Sequence, residues 1–75
     1  MIIEKGDKEV ELKKLGEKIR KIRMDKGLSQ TQLGYLVNKD QQSIQRLESG
    51  RMNPSYFYLL EISIGLKVEL KELIG

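Results

Sequence analysis

The chain has neither cysteine nor histidine. The first absence removes disulfides, thiolate nucleophiles and cysteine-ligated zinc. The second removes the usual general base near neutral pH and the commonest zinc ligand. No carboxylate cluster has the spacing of a metal-binding loop, so no metal, no cofactor and no catalytic residue is expected. Proline occurs once, at Pro54, and no repeat, low-complexity run or proline-rich linker divides the chain. Long hydrophobic runs are missing as well. The most apolar stretch, Tyr56 to Leu66, is interrupted by Glu61 and is too short to span a bilayer, so no membrane partner is expected. Met1, Ile2 and Ile3 run straight into Glu4, Lys5 and Gly6, too short and too charged for a signal peptide, and a cytoplasmic location is the expectation.

What is there is a single domain's worth of chain. At 75 residues it buries only about 60% of its unfolded surface, so its core is small. The net charge of +3 admits an anionic partner without requiring one. Charged residues make up 33% of the chain with both signs mixed, which an ordinary soluble surface also shows.

The hydrophobic pattern is helical throughout. Residues 1–7 read as a loose arm. From Lys8, Leu12, Leu15, Ile19 and Ile22 recur at helical spacing and form one apolar stripe, with Asp7 as a candidate cap and Gly27 as a left-handed stop. Gly16 lies inside this helix at a cost of about 1 kcal/mol relative to alanine, which a close helix approach would explain. Ser29 and Gln32 form a capping-box pair for a second helix, 30–37, with Leu33, Leu36 and Val37 as its apolar positions. Asn38 suits a left-handed turn. Asp40 caps a third helix, 41–49, ended by Gly50. A fourth starts near Pro54, with Asn53 or Ser55 as cap, and a short fifth covers 68–74. No stretch alternates with period two for long, and the class is all-α.

The third helix raises the functional question. Its segment "QQSIQRLESG" puts Ile44 and Leu47 on one face and Gln42, Gln45, Arg46 and Ser49 on the other, with Gln41 beside them in the first turn. Alone, this is an ordinary solvated face, since glutamine is a good helix former. Yet a glutamine amide also matches the N6 and N7 edge of adenine, and arginine the O6 and N7 edge of guanine. Two capped helices joined by a turn of about three residues have the spacing of a helix-turn-helix, whose second helix presents its first turn to base edges. Gly34 is expected to let the two helices approach closely.

The stretch "GLSQTQLGYLVNKDQQSIQRLESGRMNPS", Gly27 to Ser55, resembles the helix-turn-helix of the Cro/C1-type (XRE) transcriptional regulators without gaps. "LGEKIRKIRMDKG" upstream is similar to the family's first helix, and Leu59, Leu60, Leu66, Val68 and Leu73 fit its last two. The resemblance covers about residues 12–74. It implies a five-helix, lambda-repressor-like DNA-binding domain over 12–75, preceded by a flexible arm or helix extension over 1–11. It implies double-stranded DNA as partner and a homodimer on a symmetric operator. Residues Gln41 and Gln42, placed as in lambdoid phage repressors, are the implied base readers, with Gln45 and Arg46 one turn on. The implied phosphate or positioning set is Gln30, Lys39, Ser43, Arg51 and Asn53, with Gln30 also bracing the first recognition glutamine. Arg23 and Glu48 resemble the family's ion pair between helices one and three.

Four departures from the family carry expectations. Gly34 replaces the usual alanine and Asn38 the usual glycine. Lys39 stands at a normally apolar turn position, so its stem is expected to cover the core while its charge reaches solvent. Lys67 replaces the usual glycine between the last two helices. Tyr56, Phe57 and Tyr58 read as helix start and core packing, with tyrosine hydroxyls at the surface. Leu66, Leu70, Leu73 and Ile74 read as core with an extension into a dimer contact. The alternative function is an antitoxin or other protein-interaction module that holds a toxin or other protein partner, for which the exposed-looking Tyr35 and Leu36 are the motive.

Overall fold

A computed structural model describes residues 5–75, in five helices: α1 (Lys5–Asp25), α2 (Gln30–Val37), α3 (Gln41–Glu48), α4 (Tyr56–Leu66) and α5 (Leu70–Ile74). No strand occurs among the described residues. The all-α expectation therefore holds, and three of the boundaries follow from side-chain caps. Ser29 Oγ accepts the Gln32 N–H at 3.0 Å while the Gln32 side chain accepts the Ser29 N–H at 2.7 Å, the reciprocal pair that starts α2. Asp40 Oδ1 accepts from the Ser43 N–H at 2.7 Å and Ser55 Oγ from the Tyr58 N–H at 3.0 Å, starting α3 and α4.

Several boundaries shift. Residues 5–7 are helical, not a loose arm, and Asp7 sits inside the first turn of α1 instead of capping it. Met1 to Glu4 lie outside the described residues. In α4 the cap is Ser55, not Asn53, and Pro54 precedes it. The fifth helix begins at Leu70, two residues later than expected. Val68 is not free to start it, because its N–H closes the end of α4 by donating to the Ser63 carbonyl at 3.0 Å. Lys67, at φ 60°, makes that reversal possible in the left-handed conformation where glycine is normally required.

The core is a small apolar cluster drawn from all five helices: Ile19 from α1, Leu33 and Val37 from α2, Ile44 and Leu47 from α3, Ile62 and Leu66 from α4, and Leu73 from α5. Helix α1 packs on α3 and α5, and α2 packs on α3 and α4. Of the α1 stripe, Ile19 is fully buried and Leu15 and Ile22 pack half-buried against the cluster, while the first turns of α1 are exposed. Gly16 marks the closest approach. A Cβ there would lie 2.6 Å from the Leu47 carbonyl oxygen and clash with that of Glu48, so α1 rests directly on the end of α3. Gly34 lies against the backbone of Lys39 and Asp40 at the entry to α3, the close approach expected of it, and a second tight contact, between α2 and α4, falls at Gly65 against Val37.

The aromatic expectation is corrected in part. Phe57 and Tyr56 are both 68% exposed, because the first turn of α4 starts outside the cluster. Tyr58 does pack against the core. Leu66 and Leu73 are buried, while Ile74 stays exposed.

Candidate nucleic-acid interface

The corner between α2 and α3 is built by backbone geometry. Asn38 adopts φ 57°, ψ 46°, and the Lys39 N–H donates to the Gly34 carbonyl at 2.8 Å, closing α2. Three residues later α3 starts in a new direction. The residues Ile44, Leu47 and Glu48 turn inward. Gln41, Gln42 and Arg46 are exposed on the outer side, as the helical period requires. Gln45 is half-buried, in a shallow groove that it shares with Arg20, Gln30, Glu48 and Ser49.

Beneath this face runs a connected set of polar contacts. Arg23 Nε donates to Glu48 Oε2 at 2.6 Å and Nη2 to Oε1 at 3.0 Å, with the two side chains only 9% and 2% exposed. Arg23 Nη1 also donates to the Leu28 carbonyl at 2.6 Å, which ties α1 to the start of α2. Gln30 Nε2 reaches Glu48 Oε1 at 3.1 Å, and Gln41 Nε2 reaches Gln30 Oε1 at 2.7 Å. Among the described residues no buried side-chain nitrogen or oxygen lacks a partner. The pair expected between helices one and three is thus present, buried and bidentate, a geometry that favours arginine over lysine.

Lys39 and Ser43 lie on a different side. Lys39 Nζ pairs with Glu61 Oε1 at 2.9 Å and lies 4.2 Å from the centroid of the Tyr58 ring. Its charge does not stand free in solvent as expected but pairs with Glu61 of α4, a partner that the turn sequence does not reveal. Ser43 Oγ and the Tyr58 hydroxyl are hydrogen-bonded at 2.5 Å. Tyr58 thereby holds the first turn of α3 against α4, and its hydroxyl is not a plain surface group. Arg51 and Asn53 are exposed in the chain that leaves α3, where the Arg51 N–H donates to the Arg46 carbonyl at 2.9 Å.

Two basic residues near α3 escaped the sequence reading. Arg20 lines the groove beside Gln45, and the Lys13 backbone lies about 3.0 Å from where a Gly50 Cβ would stand. Lys13, Gly16, Arg20 and Arg23 recur at helical spacing on α1, a second stripe beside the apolar one, and Gly16 in it was the available signal.

Comparison with known proteins agrees with this geometry. The helix-turn-helix family model HTH_3 matches residues 19–73. The restriction-modification controller protein C.AhdI from Aeromonas hydrophila superposes with a TM-score of 0.84 at 34% identity, covering 85% of this chain and 97% of that one. The clp gene regulator ClgR from C. glutamicum shares the fold at a TM-score of 0.83 and 23% identity, over 85% of this chain and 82% of that one. An HTH_3 family transcriptional regulator from Vibrio cholerae shares it at 0.83 and 18% identity, with 88% of this chain covering 37% of that one. No curated protein sequence matches the chain. The capped corner, the buried Arg23–Glu48 pair and the family match agree: this chain belongs to the Cro/C1-type helix-turn-helix family of DNA-binding transcriptional regulators.

Proposed function

We propose that the chain binds double-stranded DNA sequence-specifically, as a repressor-like cytoplasmic regulator, with α3 in the major groove. The observation that carries this reading is the first turn of α3. Gln41 and Gln42 are exposed there, yet the Gln41 amide is held at 2.7 Å by a half-buried neighbour, Gln30. A glutamine that merely solvates a helix needs no such support. Gln41 and Gln42 read base edges, with Gln45 and Arg46 next along the groove. Arg51 and Asn53 bind phosphate, joined by Arg20 and Lys13 from α1. Lys39 and Ser43 act as positioning residues, since Glu61 and Tyr58 already engage them.

The functional unit in this reading is a homodimer that sets two α3 helices about 34–36 Å apart on a symmetric operator. Phe57 and Ile64 are two turns apart on one side of α4 and exposed, and Leu36 shares a shallow groove with Ile64. This side, more than the buried Leu66 and Leu73, supplies the apolar surface a dimer needs. A second reading, an antitoxin-like module that holds a toxin or other protein, is favoured by Tyr35, 87% exposed on α2 beside Leu36.

Selection of bound sequences from random duplex DNA separates the two. An enriched site is expected. Gln42→Ala should flatten one base preference of about 1–3 kcal/mol while keeping most non-specific binding. Arg51→Ala should weaken all sequences alike and reduce the log–log salt slope by about 0.9. Equal losses on specific and random DNA for both variants would refute this division of roles. No enriched site at low salt, with a stoichiometric protein partner co-purifying, would favour the interaction module.

A further inference from the structure

The first turn of α3 is held from the α4 side by one hydrogen bond, between Ser43 Oγ and the Tyr58 hydroxyl at 2.5 Å. Two hydroxyls carry two hydrogens, and only one lies between them. Among the described residues neither oxygen has a second hydrogen-bond partner, so one O–H is left over. Both residues are half-buried, and Ser43 follows Gln42 by about 100° around α3, at the edge of its outward face. The neighbouring carboxylates are engaged elsewhere. Asp40 accepts the Ser43 N–H, and Glu61 accepts from the Lys39 ammonium. The same ammonium lies 4.2 Å from the centroid of the Tyr58 ring. An unused donor beside a positive charge suits an anionic acceptor.

We propose that the Tyr58 hydroxyl binds a DNA phosphate, on the strand that runs along the α4 edge of α3. The proposal rests on the reading of α3 as a major-groove helix. A helix with its side chains is about 10–12 Å across and the major groove about 12 Å wide, so both strands lie against it. Lys13 and Arg20 stand on the α1 side of α3, and Arg51 and Asn53 follow its far end. On the α4 edge of the first turn stand Ser43, Tyr58 and Lys39, and Lys39 is already paired with Glu61. A phosphate oxygen only accepts, so its arrival puts the two hydroxyls in order. Ser43 donates to Tyr58, and Tyr58 donates to the phosphate. The phenol is the stronger donor of the two, and accepting from Ser43 strengthens it further. Ser43 acts through Tyr58 in this order and is a positioning residue. The hydroxyl brings no positive charge and touches no base, so it adds affinity without counterion release and without sequence preference.

The test is Tyr58→Phe, which keeps the ring against the core and beside Lys39 and removes only the oxygen. Affinities for random duplex DNA and for a site selected from it are measured across a salt series. Tyr58→Phe should weaken both DNAs roughly five- to thirtyfold. Preferences among single-base variants of the site should stay as in the parent, and so should the log–log salt slope, which Arg51→Ala lowers. Ser43→Ala should lose less, since Tyr58 keeps its hydrogen. A second readout uses the selected duplex with one phosphate at a time replaced by an uncharged methylphosphonate. One replacement beside the first turn of α3 should weaken the parent, and that effect should shrink in Tyr58→Phe. If Tyr58→Phe does not fold, the same scan on Ser43→Ala decides. Flattened base preferences with random-DNA binding kept would mean that Tyr58 only steadies the first turn, and the proposal is wrong. It is equally wrong if the variant and the parent share one methylphosphonate profile. If the parent binds neither DNA, the reading of α3 itself fails and takes the proposal with it.

Discussion

Burying the Glu48 carboxylate costs several kcal/mol in lost hydration, and only complete pairing offsets it. Arg23 and Gln30 together provide that pairing. Arg23→Ala would leave the carboxylate buried and half-satisfied, with a predicted loss of about 3–5 kcal/mol. Lys39 and Glu61 also make a direct contact, at 2.9 Å, yet their side chains are 15% and 34% exposed, so either partner can rehydrate. Lys39→Ala should therefore cost only about 1 kcal/mol. Chemical denaturation of the two variants checks the contrast; similar losses would mean that burial does not set the worth of these pairs. The sequence resemblance marks Arg23 and Glu48 as a pair, but it does not show that Gln30 joins them. Lys39 was legible as a charge at an apolar position, while its partner was not.

At the scale of elements, the helix ends were largely readable because caps act within a few residues. Ser29, Asp40, Gly27, Asn38 and Gly50 all work where the spacing placed them. The least comfortable end is that of α4, where Lys67 holds φ 60°. A left-handed conformation costs an L-residue about 1–2 kcal/mol, part of which glycine gives back through its greater freedom when unfolded. Lys67→Gly is predicted to stabilise the domain by about 0.5–1 kcal/mol, a rise in Tm of roughly 2–8 °C for a chain of this size. A fall in Tm would show that the Lys67 side chain contributes more than its backbone costs. The sequence leaves residues 1–11 open between an arm and a helix extension, because the first turns of α1 carry no apolar stripe. They form helix without burying anything, since residues 6–11 are all exposed.

For the whole molecule, the unsettled surface is the outer side of α4. Phe57 and Ile64 leave apolar area in water that the monomer does not cover. If this side joins two copies, Ile64→Lys should leave the fold intact, since the residue is 74% exposed, and shift the protein to monomer in sedimentation equilibrium. Binding to a two-half-site operator should fall while binding to a single half-site stays the same. A dimer that survives both Ile64→Lys and Phe57→Lys must use another surface. Salt dependence belongs to this scale as well, because the basic groups that flank α3 come from α1 and from the chain beyond α3, not from α3 alone.

By itself the sequence determined the class, the helix-turn-helix corner and the outward face of α3, because periodicity, caps and left-handed stops depend on neighbours within about one helical turn. Tertiary structure alone decided where the Lys39 charge goes, that Tyr58 steadies Ser43, and that Gly16 carries α1 onto the end of α3. It also decided that Gln30 links Gln41 to Glu48. Those outcomes depend on groups that meet only after the helices pack: Gln41 finds Gln30 eleven positions away, and Gln30 finds Glu48 eighteen positions away. No local period encodes such a meeting.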